Sequence, residues 1–170
     1  MPSAESHVTV RPVRAGDGPA LARIHRTITA YNTELAPDLF RVPDEEGLVE
    51  FSEPGPDANS ETALALVAQV DGEVAGYLEA TLQAPMESSR YQGQADLGQT
   101  RLFINYVGTA QEHWRRGVAS SLVAAAEEWG RQRGATVALC DTYIGSPVSM
   151  PFWEKRMGYR RRAVIFRKPL

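Results

Sequence analysis

The sequence predicts an α/β fold, a mixed sheet of about six strands with about four helices on its two faces. Three observations predict it. Two apolar runs, Thr62 to Val70 and Val74 to Gln83, flank Asp71-Gly72, a β-hairpin signature. Gly117 to Arg133 is Ala-rich with Val118, Leu122, Ala125 and Trp129 at helical spacing. Strand and helix patterns then alternate to the C-terminus, and meandering strands followed by β-α-β units imply a mixed sheet.

The elements follow in order. Val8 to Arg14 alternates like a short strand and ends in a turn at Gly16-Asp17-Gly18. Pro19 opens a helix at a position where its missing N–H costs no hydrogen bond. Leu21, Ile24, Ile28 and Tyr31 give that helix an apolar face to about Asn32. Residues 38–53 set Leu39, Phe40, Leu48, Val49 and Phe51 among acids and read as a second, shorter helix. Residues 52–60 are loop by composition, and residues 84–99 are another. Thr100 to Thr109 is the fourth strand, with Phe103, Asn105 and Val107 expected on one face. Gly134 closes the Ala-rich helix, Ala135 to Thr142 is a buried fifth strand, Pro147 to Met157 a helix stopped by Gly158, and Tyr159 to Lys168 a final strand. No repeat of 20–50 residues occurs. The length suits a single domain over residues 1–170, with residues 1–6 expected to be flexible.

The net charge of −3 does not suggest a nucleic-acid binder. The charge is unevenly spread, however. Residues 38–61 hold one base and eight acids, whereas residues 111–170 hold eleven bases and five acids. Such a chain suits a protein that holds a cation in one place and an anion in another. The lone Cys140 excludes an internal disulfide and reads as a small core residue. The N-terminus has no signal-peptide pattern, and no apolar run is long enough to span a membrane, so a cytoplasmic location is expected.

The stretch that carries chemistry is His113-Trp114-Arg115-Arg116-Gly117-Val118-Ala119-Ser120. It joins a strand to a helix N-terminus, where unpaired N–H groups and the helix dipole attract an anion. Gly117 and Ala119 let the backbone approach a bulky group, and Arg115 and Arg116 add charge. A pyrophosphate fits, and so does an ordinary helix start with two solvated arginines. Neither a Walker loop nor a dinucleotide-binding glycine fingerprint is present.

Residues 114–119 resemble motif A (Q/R-x-x-G-x-G/A) of the acetyl-CoA-dependent N-acetyltransferase superfamily, called GNAT, with Trp114 in place of Gln or Arg. Residues 146–159 are similar to its motif B helix, N-x-x-A-x-x-F-Y-E-K-x-G-F: Phe152, Glu154, Lys155 and Gly158 match, while Ser146 replaces Asn and Trp153 replaces Tyr. The resemblance implies a mostly antiparallel sheet splayed between strands 4 and 5, with acetyl-CoA in the wedge. It implies that Arg115, Arg116, Gly117, Val118, Ala119 and Ser120 hold the pyrophosphate and that Val107 and Thr109 supply backbone partners. Val107 would also polarise the thioester. Ser146, Phe152 and Trp153 would line the same cofactor site, Trp153 as a packing residue. An amine would attack the thioester directly in a ternary complex, with no metal.

The remaining roles have candidates. Glu79, Asn105 and Asp141 are candidates for removing or relaying the ammonium proton, and Tyr143 for protonating the departing thiolate, since an indole at position 153 cannot. Asp44, Glu45, Glu46 and Glu50 would attract a cationic acceptor, or form a solvated helix face. Acetyl-CoA and a small cationic amine are the implied partners, with no nucleic acid and no membrane. A protein N-terminus or lysine is the alternative acceptor, and a non-catalytic acyl-CoA sensor the alternative class. The exposed edge of the final strand also offers a surface for a homodimer.

Overall fold

The computed structural model describes residues 7–55 and 57–170. The expectation for residues 1–6 lies outside the described residues. In chain order the elements are β1 (Val8–Pro12), α1 (Gly18–Leu35), α2 (Glu45–Ser52), β2 (Ala63–Val70), β3 (Glu73–Gln83), β4 (Arg101–Thr109), α3 (Val118–Gln132), β5 (Val137–Cys140) and α4 (Ser149–Pro151). A π-helical turn, Phe152–Arg156, continues α4.

The strands form one sheet in the order β1-β2-β3-β4-β5. The first four pair antiparallel, and β4 and β5 pair parallel. The hairpin signature forms as expected: Asp71 and Gly72 stand at φ 52° and 87°, the left-handed pair that a two-residue turn between right-twisted strands requires. The alternation of β2 sends Leu64 and Leu66 to one face, where they pack with Leu78, Leu102 and Ile104 against Val118, Leu122, Val123 and Ala126 of α3. Ala65 and Val67 go to the other face and pack with Tyr77, Val13 and Leu21 of α1. Each of these larger side chains contributes ~1.5–3 kcal/mol by leaving water. The two faces are therefore covered by α1 and α3 on opposite sides, which leaves the β4 end of the sheet between them.

β5 and α4 are shorter than the sequence reading, and three further differences have clear causes or consequences. The second helix is shorter than residues 38–53, because Pro43 interrupts the lead-in and Asp44 caps the helix by accepting from the Gly47 N–H at 2.8 Å. The loop after β3 contains two 3₁₀ turns, Glu87–Tyr91 and Ala95–Gly98. The expected final strand, Tyr159 to Lys168, does not form, and β5 is the edge of a five-stranded sheet. The reason is that β5 offers only four residues, and this chain supplies no second neighbour against which Val164, Ile165 and Phe166 could bury. Among the described residues no helix is long and apolar enough to cross a membrane.

An ion pair fixes the start of α1. Arg11 on β1 donates to both carboxylate oxygens of Asp17 at 2.8 Å, and Asp17 also accepts from the Arg14 N–H at 2.9 Å. The Arg11 guanidinium holds the Asp17 carboxyl below the usual range, against the opposing effect of its burial.

Candidate active site

The site begins with how β4 ends. Its pairing with β5 runs only from Arg101–Val137 to Ile104–Cys140, yet β4 continues to Thr109. β5 ends at Cys140, so past Ile104 that side of β4 has no strand neighbour and is open. The register tells which backbone groups face that opening. Ala110 donates to the Ala75 carbonyl at 2.9 Å, which makes the Ala75–Ala110 pair a hydrogen-bonded one. By antiparallel alternation Tyr77–Gly108 is hydrogen-bonded too, while Gly76–Thr109 and Leu78–Val107 are not. The N–H and C=O of Val107 and Thr109 therefore point away from β3 toward the opening. The Thr109 carbonyl is taken, since the Trp114 indole donates to it at 3.0 Å. Trp114 also meets Tyr31 of α1 edge to face at 5.3 Å, so the residue that departs from the motif is a brace.

The turn after β4 delivers the chain to α3. Arg115 and Gly117 both have positive φ, 63° and 83°. For Arg115 this is strained; for Gly117 it is not, and Gly117 is the N-cap of α3. No side chain caps this helix, and its first backbone bond is Ser121 N–H to the Gly117 carbonyl. The N–H groups of Val118, Ala119 and Ser120 have no backbone partner among the described residues. Left-handed residues alternating through such a turn converge N–H groups into an anion-binding concavity. Arg115 and Arg116 are exposed beside it. The Thr109 hydroxyl and His113 Nδ1 are buried here without a hydrogen-bond partner among the described residues. Unpartnered polar atoms, convergent amides and two exposed cations fit a polyphosphate such as that of CoA, which these residues would hold.

On the α1 face of the sheet, a polar cluster stands where β3 and β4 slip register. Glu79 opposes Tyr106 and Ala80 opposes Ile104, so Asn105 is an extra residue without a β3 partner. This bulge corrects the expectation that Phe103, Asn105 and Val107 share a face: Val107 packs on the α3 side and Tyr106 on the α1 side. Tyr77 donates to the Glu79 carboxylate. The Tyr106 hydroxyl lies 3.4 Å from His25 Nδ1 of α1. Burial pushes both tyrosines well above the ordinary phenol range, with hydrogen bonding to Glu79 adding to the effect at Tyr77 and its charge at both. Burial pushes His25 down, toward the neutral form. Glu79 is half-buried, and the exposed Asn105 accepts from the Thr81 hydroxyl at 3.0 Å through Oδ1, leaving its NH₂ free for water. His25, Tyr77 and Tyr106 were not among the sequence-derived candidates. Tyr77 lies two residues from Glu79 and was findable by strand periodicity; Tyr106 was hidden by the bulge.

The other candidates are distributed unevenly. Asp141 is exposed just beyond β5. Tyr143 is half-buried and packs edge to face on Phe40 at 5.5 Å. Ser146 is buried, and its hydroxyl accepts from the Ser149 N–H at 3.0 Å, so it ties the preceding loop to the first residue of α4. Trp153, only 6% exposed, lies in the core with Phe152 and Tyr159 at ring distances of 5.0 and 4.9 Å. It packs against these two rings. Of the acidic set, Asp44 is a helix cap and Glu45 pairs with Arg26, while Glu46 and Glu50 are exposed. Burial and the neighbouring Asp141 push the Cys140 thiol up to about 12, as suits a packing residue and not a nucleophile. A separate cavity of ~580 Å³, lined by Arg14, Pro19, Glu53 and Asn59 among others, shares no residue with β4 or the α3 turn.

Comparison with known proteins agrees with this geometry. The sequence model of the acetyltransferase (GNAT) family matches residues 28–159. No curated protein matches the sequence significantly. Among solved structures, a mutant of the BH1408 protein from Bacillus halodurans is similar with a TM-score of 0.79 at 17% identity, over 95% of this chain and 99% of that one. A transcriptional regulator from Bacillus halodurans C-125 is similar with a TM-score of 0.70 at 22% identity, over 96% and 100%. The aminoglycoside N-acetyltransferase AAC(6')-Iy, solved with CoA, is similar with a TM-score of 0.65 at 17% identity, over 100% and 99%. At these identities the structures share the fold.

Proposed function

The chain belongs to the acetyltransferase (GNAT) family, and from that premise we propose that it acts as one domain that transfers the acetyl group of acetyl-CoA to a primary amine of a small cationic molecule. The observation that carries the reading is the continuity of the open side of β4 with the uncapped N-terminus of α3. One surface thus offers extended backbone partners for an amide-bearing arm and, next to them, N–H groups for its phosphates. A structural neighbour that holds CoA supports this choice of ligand.

Bound acetyl-CoA supplies an activated thioester: the amine nitrogen bonds to the carbonyl carbon, the C–S bond breaks, and the sulfur takes up a proton. The chain's own residues have the following parts. The Val107 N–H faces the opening and is the donor for the thioester oxygen. Glu79, at the bulge, attracts the ammonium and accepts its proton, directly or through water held by Asn105. Tyr77 remains a phenol at neutral pH and keeps the Glu79 carboxylate in one rotamer. Tyr143, beyond the end of β5, is the group left to protonate sulfur, since Trp153 is enclosed in the core. The exposed Glu46 and Glu50 add a field that favours cations.

Thiol release from acetyl-CoA over a panel of small amines tests the reading. Glu79→Gln should lower kcat by ~10²-fold or more while the KM for acetyl-CoA holds. Tight acetyl-CoA binding with no amine raising thiol release above background would overturn the transferase reading.

A further inference from the structure

The turn that leads into α3 keeps a strained shape with little help from its own backbone. Arg115 stands at φ 63°, in the left-handed region. The Arg116 N–H reaches the His113 carbonyl only at 3.4 Å, and the N–H groups of Arg115 and Gly117 have no backbone acceptor among the described residues. A strained and weakly bonded segment persists only where its surroundings over-determine it. The surroundings that do so must therefore lie outside the turn.

Trp114, the residue before the turn, is held from two directions. Its indole N–H donates to the Thr109 carbonyl at 3.0 Å, which ties it to the end of β4. Its ring meets the Tyr31 ring at 5.3 Å and 83°, an edge-to-face pair, which ties it to α1. One contact to the sheet and one to a helix leave the indole a single position. Tyr31 is in turn well seated. Ile28, one turn earlier, occupies the space that Gly108 leaves open, since a Cβ on Gly108 would lie 2.4 Å from Ile28 Cδ1. His25, one turn earlier again, reaches the Tyr106 hydroxyl at 3.4 Å. These three residues form one stripe by which α1 lies along β4 from the bulge to its end.

We propose that Tyr31 and Trp114 are a pair of positioning residues that hold the Arg115–Gly117 turn in its anion-binding shape, which rests on the reading of that turn as the pyrophosphate site. Trp114 acts through the backbone that follows it, and Tyr31 acts through the indole. A Gln or Arg at position 114, as in the motif, has no ring for Tyr31 to meet, so the departure at 114 and the aromatic residue at 31 belong together. The indole also occupies the Thr109 carbonyl. An extended arm beside β4 is left with the N–H and C=O of Val107 and the N–H of Thr109. The pair thus acts on the phosphates of the ligand, not on its arm.

Calorimetry with CoA and with pantetheine, which lacks the phosphates, reads the pair without any acceptor. Tyr31→Leu should weaken CoA ~3- to 10-fold, the worth of one edge-to-face ring pair, and leave pantetheine unchanged. Tyr31→Phe keeps the ring and should bind CoA as the wild type does. Trp114→Leu should weaken CoA at least as much as Tyr31→Leu, and adding Tyr31→Leu to it should weaken CoA no further. Asp17→Asn loosens the other end of α1 and should keep the wild-type affinity, which separates positioning from loss of stability. Tyr31→Met is read in the same way if Tyr31→Leu does not fold. Wild-type CoA affinity in the folded Tyr31 variant, equal weakening of CoA and pantetheine, additive losses in the double variant, or an equal loss in Asp17→Asn would overturn the pair's role. A wild type that binds CoA no better than pantetheine would overturn the pyrophosphate reading itself and the pair's role with it. Neither comparison depends on an amine being acetylated, so failure of the transferase reading is told apart from both.

Discussion

A single methyl group added at Gly76 tests the link between sheet packing and the anion site. Gly76 lies on β3 opposite Thr109, under the first turn of α3. A Cβ there would sit 2.5 Å from Val118 Cγ1, 3.0 Å from Leu122 Cδ1 and 3.1 Å from the Gly108 carbonyl oxygen. Ordinary contact starts at 3.4 Å, so Val118 is short by about 0.9 Å. Val118 cannot yield by rotation, because it is 1% exposed and a β-branched side chain in a helix has essentially one rotamer. The helix start must move instead, and with it the amides of Val118, Ala119 and Ser120. Overpacking of this kind costs about 1–3 kcal/mol, a fall in Tm of roughly 2–12 °C for a chain of this size. Losing the alignment of one charge-assisted hydrogen bond should raise the KM for acetyl-CoA ~10-fold or more at saturating amine. Gly93→Ala, which meets nothing within 4 Å, is the control and should leave both quantities unchanged. The reasoning fails if Gly76→Ala unfolds at the wild-type temperature with the wild-type KM.

Three other perturbations have defined outcomes. Arg116→Ala should weaken CoA ~3- to 10-fold yet leave binding of a pantetheine analogue without phosphates unchanged, as read by calorimetry; equal weakening of both would remove the pyrophosphate assignment. Asp17→Asn should destabilise the fold by about 2 kcal/mol at pH 7 in urea unfolding, since Arg11 loses its buried partner. The folded-state pKa of Asp17 is depressed, so its contribution is full above the ordinary carboxylate value of about 4 and is lost as pH falls through the lower folded value; the gap between wild type and variant should close below about pH 4. Tyr143→Phe should lower kcat ~10²-fold while leaving acetyl-CoA binding intact, and an unchanged kcat excludes Tyr143 as the acid.

What was legible in the sequence was local. Asp71-Gly72 specifies its hairpin by backbone sterics that need no distant partner. The turn at Arg115 to Gly117 announces an uncapped helix start in the same way, because the missing cap and the small residues are adjacent in sequence. The acidic segment was legible only as charge: a charge count does not see that Asp44 is engaged by the Gly47 amide and Glu45 by Arg26, nineteen residues away. All four are exposed, but among the described residues only Glu46 and Glu50 have no hydrogen bond or ion pair.

The bulge at Asn105 shows why catalytic geometry is harder to read than fold. Strict alternation places residues 103, 105 and 107 together, and one unpaired residue reverses everything after it. Ile104 and Val107 consequently share the α3 face, and Tyr106 turns toward Glu79 and His25. Nothing within TRLFINYVGT marks the inserted residue, since the slip is set by how β3 and β4 match over their full length. The same bulge puts Tyr106 on the face that carries Glu79, so the group around that carboxylate is a consequence of register.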